Sequence, residues 1–445
     1  MAATEHCVAL IGGATAGAEV AGRLADLGCI VVVFEQNPRP YGKIEDGLPS
    51  WHAALRKKEC DSIQSKLTRP GVHYVPNTRI GRDIDIADLA TEWGFSAVVL
   101  ANGAWRDRPV PVEGADKYVG KGLVYQNPFV ISFNHQDDPG FSGERFDFPD
   151  GCIVVGGGLA SIDVAKILML ENVKRALDER GIDTSIIELE VKGIPKILAN
   201  HDLAYEDLGL LGCTIFYRRR VKDMPLMKIP AGADEARIEK VYKGRERMFA
   251  KASEKFRFNV EPLSTPDGLI IEDNRLIGLR FRRTKIEDGR VIPTDETYER
   301  RGVRVISSIG SIPEPIEGIP MKGELFDFSD WEVGRIDGFP TLFSVGNVVT
   351  GKGNIVASRK HARQVSADAI EAFLGLAEDG RDAEADLPNL ATDAARETAD
   401  RISTQLGTAP DPSTLAEILR RVAERQREVG YTDYESWIES LTAPT

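Results

Sequence analysis

Two short apolar runs, Cys7-Val-Ala-Leu-Ile11 and Cys152-Ile-Val-Val155, each stop abruptly at a glycine-rich loop that opens a helical pattern. This repeated strand, loop and helix constrains the fold more than any other feature of the chain. A continuous apolar strand is buried on both faces, as in a parallel sheet covered by helices. After the first run comes Gly12-Gly13-Ala14-Thr15-Ala16-Gly17, then a helix expected over Ala18 to Leu27, closed by Gly28. A second strand, Ile30 to Phe34, ends in Glu35. That is a complete β-α-β nucleotide unit, with an acid about 20 residues beyond the glycines. Gly12 allows the tight turn, small Ala14 and Ala16 let a pyrophosphate approach the backbone, and Gly17 permits close helix packing. Glu35 can accept hydrogen bonds from both ribose hydroxyls, and its charge repels a 2′-phosphate, so FAD or NAD satisfies the site.

The second loop is Gly156-Gly157-Gly158-Leu159-Ala160-Ser161, with a helix opening over Asp163 to Leu170. Gly156, Gly158, Leu159 and Ala160 are the expected phosphate contacts. The next strand, Thr214 to Tyr217, ends in Arg218-Arg219-Arg220 rather than in an acid. Guanidinium groups pair with a 2′-phosphate through forked, charge-assisted hydrogen bonds, so Arg218 and Arg219 point to NADPH over NADH. Two such units about 140 residues apart indicate two different nucleotides brought together. About 50 residues separate the second loop from its second strand, where a minimal unit needs about 20. Val173 to Glu179 and Ile194 to Leu198 read as helical pieces of this insertion, placed on the domain rim.

Composition narrows the class. A chain of 445 residues is expected to form two or three domains. A formal net charge of −13 argues against nucleic acid as a partner. No apolar run approaches the roughly 20 residues of a membrane span, and the first strand begins too near the N-terminus for a retained targeting segment. The five cysteines, Cys7, Cys29, Cys60, Cys152 and Cys213, include no CxxC. No redox dithiol, zinc site or iron–sulfur cradle is therefore expected, and the cysteines fit a reducing cytoplasm. Cys7, Cys29, Cys152 and Cys213 read as small apolar fillers in or beside core strands.

Several further segments carry a resemblance. They are Pro40 to His52, Val98 to Ala104, Tyr217 to Pro225, Val305 to Gly310 and Leu342 to Ile355. Over most of residues 7 to 375 the chain resembles the adrenodoxin reductase-like flavoproteins, a group that includes NADPH–ferredoxin reductases and the small subunit of glutamate synthase. The resemblance implies an α/β fold of two Rossmann-like dinucleotide-binding domains with a C-terminal helical extension. An FAD domain is expected over residues 1–105 and 312–375, an NADPH domain over 106–311, and an acidic linker with helical tail over 376–445. Val305 to Gly310 is similar to the strand that returns the chain to the FAD domain.

Further FAD contacts are implied at Gln36, Gly42, Lys43, Gly47, Ile80, Ala101, Gly103, Gly346, Asn347, Gly353, Asn354 and Ile355. His52 matches a family histidine placed to manage a proton or water near the flavin, and Lys352 is a candidate counter-charge. Ala14, Asn102 and Asn347 depart from the family pattern. The absence of CxxC argues against a disulfide reductase, and the absence of a cysteine-rich N-terminal domain argues against a complete glutamate synthase small subunit.

The resemblance further implies hydride transfer from nicotinamide C4 to flavin N5, then electron transfer to ferredoxin or another iron–sulfur carrier. Arg237, Lys240, Lys243, Arg245, Arg247, Lys251 and Lys255 read either as a basic stripe that would steer an acidic carrier or, with the interleaved Glu235, Glu239, Glu246 and Glu254, as a solvated helix face. An electron-input subunit of a synthase-like complex, a flavin reductase acting on a small organic molecule, and a non-catalytic regulator remain as alternatives. In the tail, Glu378 to Asp386 reads as a solvated linker, followed by amphipathic stretches around Ala394 to Leu406 and Thr414 to Val429. Leu415, Ile418, Leu419 and Val422 have helical spacing, expected to pack on the FAD domain, with a homodimer or partner-subunit contact as the alternative.

Overall fold

The computed structural model describes residues 6–230, 232–351, 353–376 and 407–442. The chain divides into two compact units, Met1–Leu48, His52–Arg106 and Ser311–Thr445 in the first, Pro49–Trp51 and Asp107–Gly310 in the second. Lys352, the acidic linker and the stretch around Ala394 to Leu406 lie outside the described residues.

The first unit is built on a five-stranded sheet in the order Leu342–Ser344, Ala97–Leu100, Cys7–Ile11, Ile30–Phe34, Val72–Val75. All neighbours are parallel, with Leu10 opposite Val33 on one side and Val99 on the other. Alternation sorts each strand's side chains between two cores. Val8, Leu10, Val31 and Val33 join Val20, Ala21 and Leu24 of the helix Thr15–Asp26. Cys7, Ala9, Ile11, Val32 and Phe34 face Ile86, Leu89 and Phe326. Burying each Val, Leu or Phe contributes about 1.5–3 kcal/mol, which explains why these strands tolerate no polar alternation.

The second unit repeats the arrangement in the order Leu123–Tyr125, Val305–Ser308, Ile153–Gly156, Thr214–Tyr217, Asn259–Pro262, again all parallel. Val305–Ser308 is an internal strand of this sheet, and the chain re-enters the first unit just beyond it, at Ser311. An antiparallel sheet of three long strands, Ser264–Glu272, Arg275–Glu287 and Arg290–Arg301, follows the fifth strand. The glycine loop opens one 20-residue helix, Leu159–Asp178, of which Val173 to Asp178 is the last part rather than a separate piece. The inserted helices Ile186–Lys192 and Ile194–Ala199 are not rim decoration. Leu189, Ile194, Ile197 and Leu198 are buried in the same core as Val173, Leu177 and Ile215.

The tail helices Pro412–Glu428 and Tyr434–Thr442 complete the first unit. Ile418 and Val422 are buried beside Ile80 and Phe34, while Tyr434 packs edge-on to Tyr74 at 5.4 Å between ring centroids. The Arg425 guanidinium donates to the hydroxyl of Thr78 at 2.9 Å, the Gln426 carboxamide to the carbonyl of Tyr74 at 2.8 Å, and the Trp437 indole to that of Pro38 at 2.7 Å. The tail therefore covers the edge strand Val72–Val75, as an exposed strand edge requires. No helix among the described residues is long and apolar enough to cross a membrane. All five cysteines are free and four are buried; burial pushes the Cys7 and Cys152 thiols up to about 12, as expected of packing groups.

Candidate nucleotide sites

In the first unit the loop after Ile11 is shaped by close backbone approaches. Gly12 has φ +97°, and a Cβ there would sit 2.7 Å from the carbonyl oxygen of Ala101. A Cβ on Gly17 would sit 1.8 Å from the carbonyl oxygen of Gly12, so only glycine lets the helix start this near the turn. The helix begins at Thr15, three residues before the expected start, and has neither a side-chain cap on Ala14 nor an acid in its first turn. Its first amide groups are therefore left for another acceptor, which suits a phosphate.

Glu35 is buried and braces this loop. One of its carboxylate oxygens accepts from the amide of Gly13 at 2.8 Å and the other from the amide of Asn37 at 3.0 Å. Burial pushes the carboxyl up to about 7, and these amide bonds only partly offset it. A carboxylate has about four acceptor positions, so capacity remains for ribose hydroxyls. Beside the loop, the side-chain carbonyl oxygen of Asn102 is buried and has no hydrogen-bond partner among the described residues. Gly103, at φ +70°, faces open space. An unsatisfied buried acceptor next to an uncapped helix is the kind of vacancy that a polar ligand resolves.

The other expected FAD contacts are distributed as follows. A Cβ on Gly346 would sit 2.6 Å from the Cβ of Ala16, so the late loop abuts the first glycine loop. The Gly346 amide donates to Nδ1 of His361 at 3.0 Å, a partner that the sequence reading missed. Gly42, at φ +50°, approaches Ala14. Lys43 donates to the hydroxyl of Ser311 at 2.9 Å and lies over the Trp105 ring, so its ammonium is engaged within the protein. Gly47 donates its amide to the Lys43 carbonyl at 3.1 Å. Ile80 and Ala101 are buried, Gln36 is half-buried, and His52 is half-buried just before the helix Ala53–Leu67.

Asn347 and Asn354 have work of their own. The Asn347 side chain accepts from the amide of Gly353 at 2.6 Å, and that of Asn354 caps the helix Ile355–Val365 through Ala357 at 2.7 Å. The Asn354 cap was legible in the sequence, as an Asn just ahead of a helical run. That helix is anchored at mid-length. Arg363 bonds Glu19 on the first nucleotide helix, and Arg359 bonds the buried Glu59. Burial pushes Glu19 up, but hydrogen bonds from Lys66 and Arg363 outweigh it and hold the carboxyl below its ordinary value.

The site of the second unit has the same frame and the opposite charge. Gly156 is packed against Ser161 and the carbonyl of Ser308, and Gly157 against the Tyr217 ring, whereas a Cβ on Gly158 would meet nothing within 4 Å. The helix again lacks a side-chain cap and a first-turn acid. Leu159 is exposed at its start, with half-buried Ala160 beside it. Where the first unit has Glu35, this one has three arginines with separate fates. Arg220 pairs with Asp223 at 2.8 Å. Arg218 is exposed and forms no ion pair among the described residues. Arg219 donates through Nη2 to the carbonyl of Gly289, while its buried Nε has no partner among the described residues. A free cation and an orphaned cationic N–H at this strand end suit an anion on the ribose.

On the helix Glu235–Phe256 the cations of the expected stripe are interleaved with the exposed Glu235, Glu239, Glu246 and Glu254, and Lys243 lies 3.9 Å from Glu239. Arg245 is buried and spends its guanidinium on the carbonyls of Met227 and Lys222. Arg237, Lys240, Lys243, Arg247 and Lys251 are exposed, while Lys255 is half-buried over the Phe256 ring.

No protein-family model matches the chain. The NADPH-ferredoxin reductase FprA of Mycobacterium tuberculosis is 24% identical over 390 residues, covering 80% of this chain and 79% of that protein. The small chain of glutamate synthase [NADPH] from Escherichia coli K12 is 24% identical over 393 residues, covering 82% and 68% respectively. Among solved structures, Mycobacterium tuberculosis FprA in complex with NADPH superposes with a TM-score of 0.63 at 19% identity, covering 94% of this chain and 99% of that one. The structural likeness establishes the fold, two Rossmann-like domains with C-terminal helices. The sequence likeness supports the FAD/NADPH oxidoreductase superfamily and singles out no one member of it.

Proposed function

We propose that this protein is an NADPH-dependent FAD oxidoreductase that passes electrons to a ferredoxin-type iron–sulfur acceptor. The observation that carries the reading is the reversal of charge between two otherwise equivalent sites. The buried Glu35 carboxylate ends the second strand of one, and the Arg218 and Arg219 guanidinium groups end that of the other. Bound FAD would supply the chemistry that accepts a hydride and releases single electrons, linking NADPH to a one-electron carrier.

The chain's own residues then act by binding and orientation. Gly12, Ala14, Ala16 and Gly17 present loop and helix amides to the FAD pyrophosphate. Glu35 takes the ribose, Asn102 offers its unsatisfied carbonyl oxygen, and Gly346 with the amide of Ile355 closes the site. Gly156, Gly158, Leu159 and Ala160 hold the NADPH pyrophosphate, and Arg218 and Arg219 take the 2′-phosphate. His52, at a helix start, is assigned proton or water management. The exposed Arg237, Lys240, Lys243, Arg247 and Lys251 offer an acidic carrier a landing surface. On this reading the first unit is the FAD domain with its tail, the second is the NADPH domain, and the free cysteines fit the cytoplasm.

The names of both relatives include NADPH, and one includes ferredoxin, which supports the reading. The test is anaerobic titration of the purified protein with NADPH and NADH, followed by transfer to a panel of ferredoxins and small acceptors. A yellow protein bleached preferentially by NADPH and reoxidised by a ferredoxin is expected. Bleaching with no transfer to any ferredoxin would remove the acceptor assignment, and a colourless protein unable to bind FAD would remove the whole reading.

A further inference from the structure

The three-stranded antiparallel sheet of the second unit plays no part in the function above, yet its tip reaches the arginine run. Strands Arg275–Glu287 and Arg290–Arg301 are joined by two residues, Asp288 at φ 46° and Gly289 at φ 73°. Glu287 pairs with Arg290 across them. Positive φ at both central positions is the type I′ turn, the tight connection that matches strand twist, so the tip is a rigid point.

The hairpin is tied to the arginine run that follows the strand Thr214–Tyr217 by two direct bonds, one of them at the tip, and by a relay. The Gly289 carbonyl accepts from Nη2 of Arg219, 70 residues away in sequence. The Thr284 hydroxyl donates to the carbonyl of Arg218 at 2.8 Å. The Leu263 amide donates to the carbonyl of Arg219 at 3.1 Å, and the Leu263 carbonyl accepts from the amide of Thr284 at 2.9 Å. Hairpin and arginine run are thus joined by two side-chain-to-backbone bonds and by a backbone relay through Leu263.

The charges at the tip are unequal. Lys285 is neutralised by Glu287 at 2.7 Å. Arg290 is exposed and forms no ion pair among the described residues. Its backbone directly follows the carbonyl that Arg219 holds. A third cation without an ion pair on this segment, after Arg218 and Arg219, adds repulsion that a polyanion would relieve. We infer that the tip Asp288–Arg290 is a wall of the 2′-phosphate subsite, with the Gly289 carbonyl orienting Arg219 and Arg290 adding a cation for the phosphate dianion. This inference rests on the NADPH reading of the second unit.

The test uses the full chain and two nicotinamide-free probes, adenosine 2′,5′-bisphosphate and ADP, with binding measured by calorimetry. Arg290→Gln should weaken the bisphosphate about tenfold, the loss expected of one charge-assisted contact, and leave ADP unchanged. Arg290→Lys should recover most of that affinity. Thr284→Val, which loosens the hairpin without altering charge, should weaken the bisphosphate more than ADP. In turnover, Arg290→Gln should raise KM for NADPH with kcat and the NADH parameters unchanged. If Arg290→Gln binds the bisphosphate like wild type while Arg218→Gln does not, the hairpin wall is overturned and the NADPH reading stands. If wild type binds both probes equally, both fall.

Discussion

The Glu35 carboxylate accepts a hydrogen bond from the amide of Gly13 at 2.8 Å, so the acid that ends one strand braces the loop that ends its neighbour. One residue therefore serves the fold before any ligand arrives, and its chemistry follows from being buried there. In the second unit no acid occupies that position, and the Gly157 side of the loop is packed by the Tyr217 ring instead.

The pH dependence of the ligand-free protein should report Glu35. Its ordinary value of 4.5 is raised to about 7 by burial, so the folded state holds the proton more tightly than the unfolded chain. The stability this gives is fully present below about pH 4.5 and is lost as pH rises through about 7. At about 1.4 kcal/mol per pH unit, the difference is about 3 kcal/mol. Denaturant unfolding of the FAD-free protein at pH 5 and pH 8 should show this loss in wild type and a smaller one in Glu35→Gln. Parallel pH profiles for the two proteins would assign the titration elsewhere.

Two glycines should respond oppositely to alanine. Gly17→Ala drives a methyl group to 1.8 Å from the Gly12 carbonyl oxygen, so the loop must move, at a cost of about 1–3 kcal/mol or more, and FAD should be lost. At Gly158 the added methyl meets nothing within 4 Å. Its thermal unfolding should match wild type while NADPH binding weakens, because the methyl enters the space offered to the pyrophosphate. A Gly158→Ala protein that binds NADPH normally would show that the nucleotide does not use this loop.

Glu19 joins three helices through Lys66 and Arg363. Glu19→Ala leaves the half-buried Lys66 without its partner, while the exposed Arg363 can turn to solvent, and should cost about 1–3 kcal/mol. Lys57→Ala, at an exposed pair with Asp61, should change stability by less than about 1 kcal/mol. Equal effects at the two positions would mean that solvent screens Glu19 as well.

The tail should be integral to the first unit. Ile418 is fully buried, and Ile418→Ala should destabilise by about 2–5 kcal/mol, whereas the exposed Arg420→Ala should stay within about 0.5 kcal/mol. Calorimetric unfolding measures both. If Ile418→Ala instead left stability intact and altered only oligomeric state, the tail would be an association element.

Much of the fold was legible because its signals are local. A continuous apolar strand followed by glycines has few alternatives, and the cysteines among those strands could only be fillers. The charge at each strand end was equally readable, since strand ends face the ligand edge of a parallel sheet. What escaped was set by distant partners. Arg245 sits in a basic helical pattern, and nothing in that pattern reveals that two carbonyls capture it. The insertion exceeds what a minimal unit needs, and nothing in its own residues names the core they join, yet Leu189 and Ile197 close the core of the second unit.

By itself the sequence determined two β-α-β units and the sign of charge at each, because turn geometry, strand burial and ribose recognition depend on residues within about 20 positions of one another. The tertiary structure decided which of the charges are free to act. Arg220 is consumed by Asp223 and Lys43 is held by Ser311, whereas a carbonyl 70 residues away holds one end of Arg219 and leaves its Nε without a partner among the described residues. Hydrogen bonds act only over a few ångströms of space, and a chain brings such groups together only once it has folded.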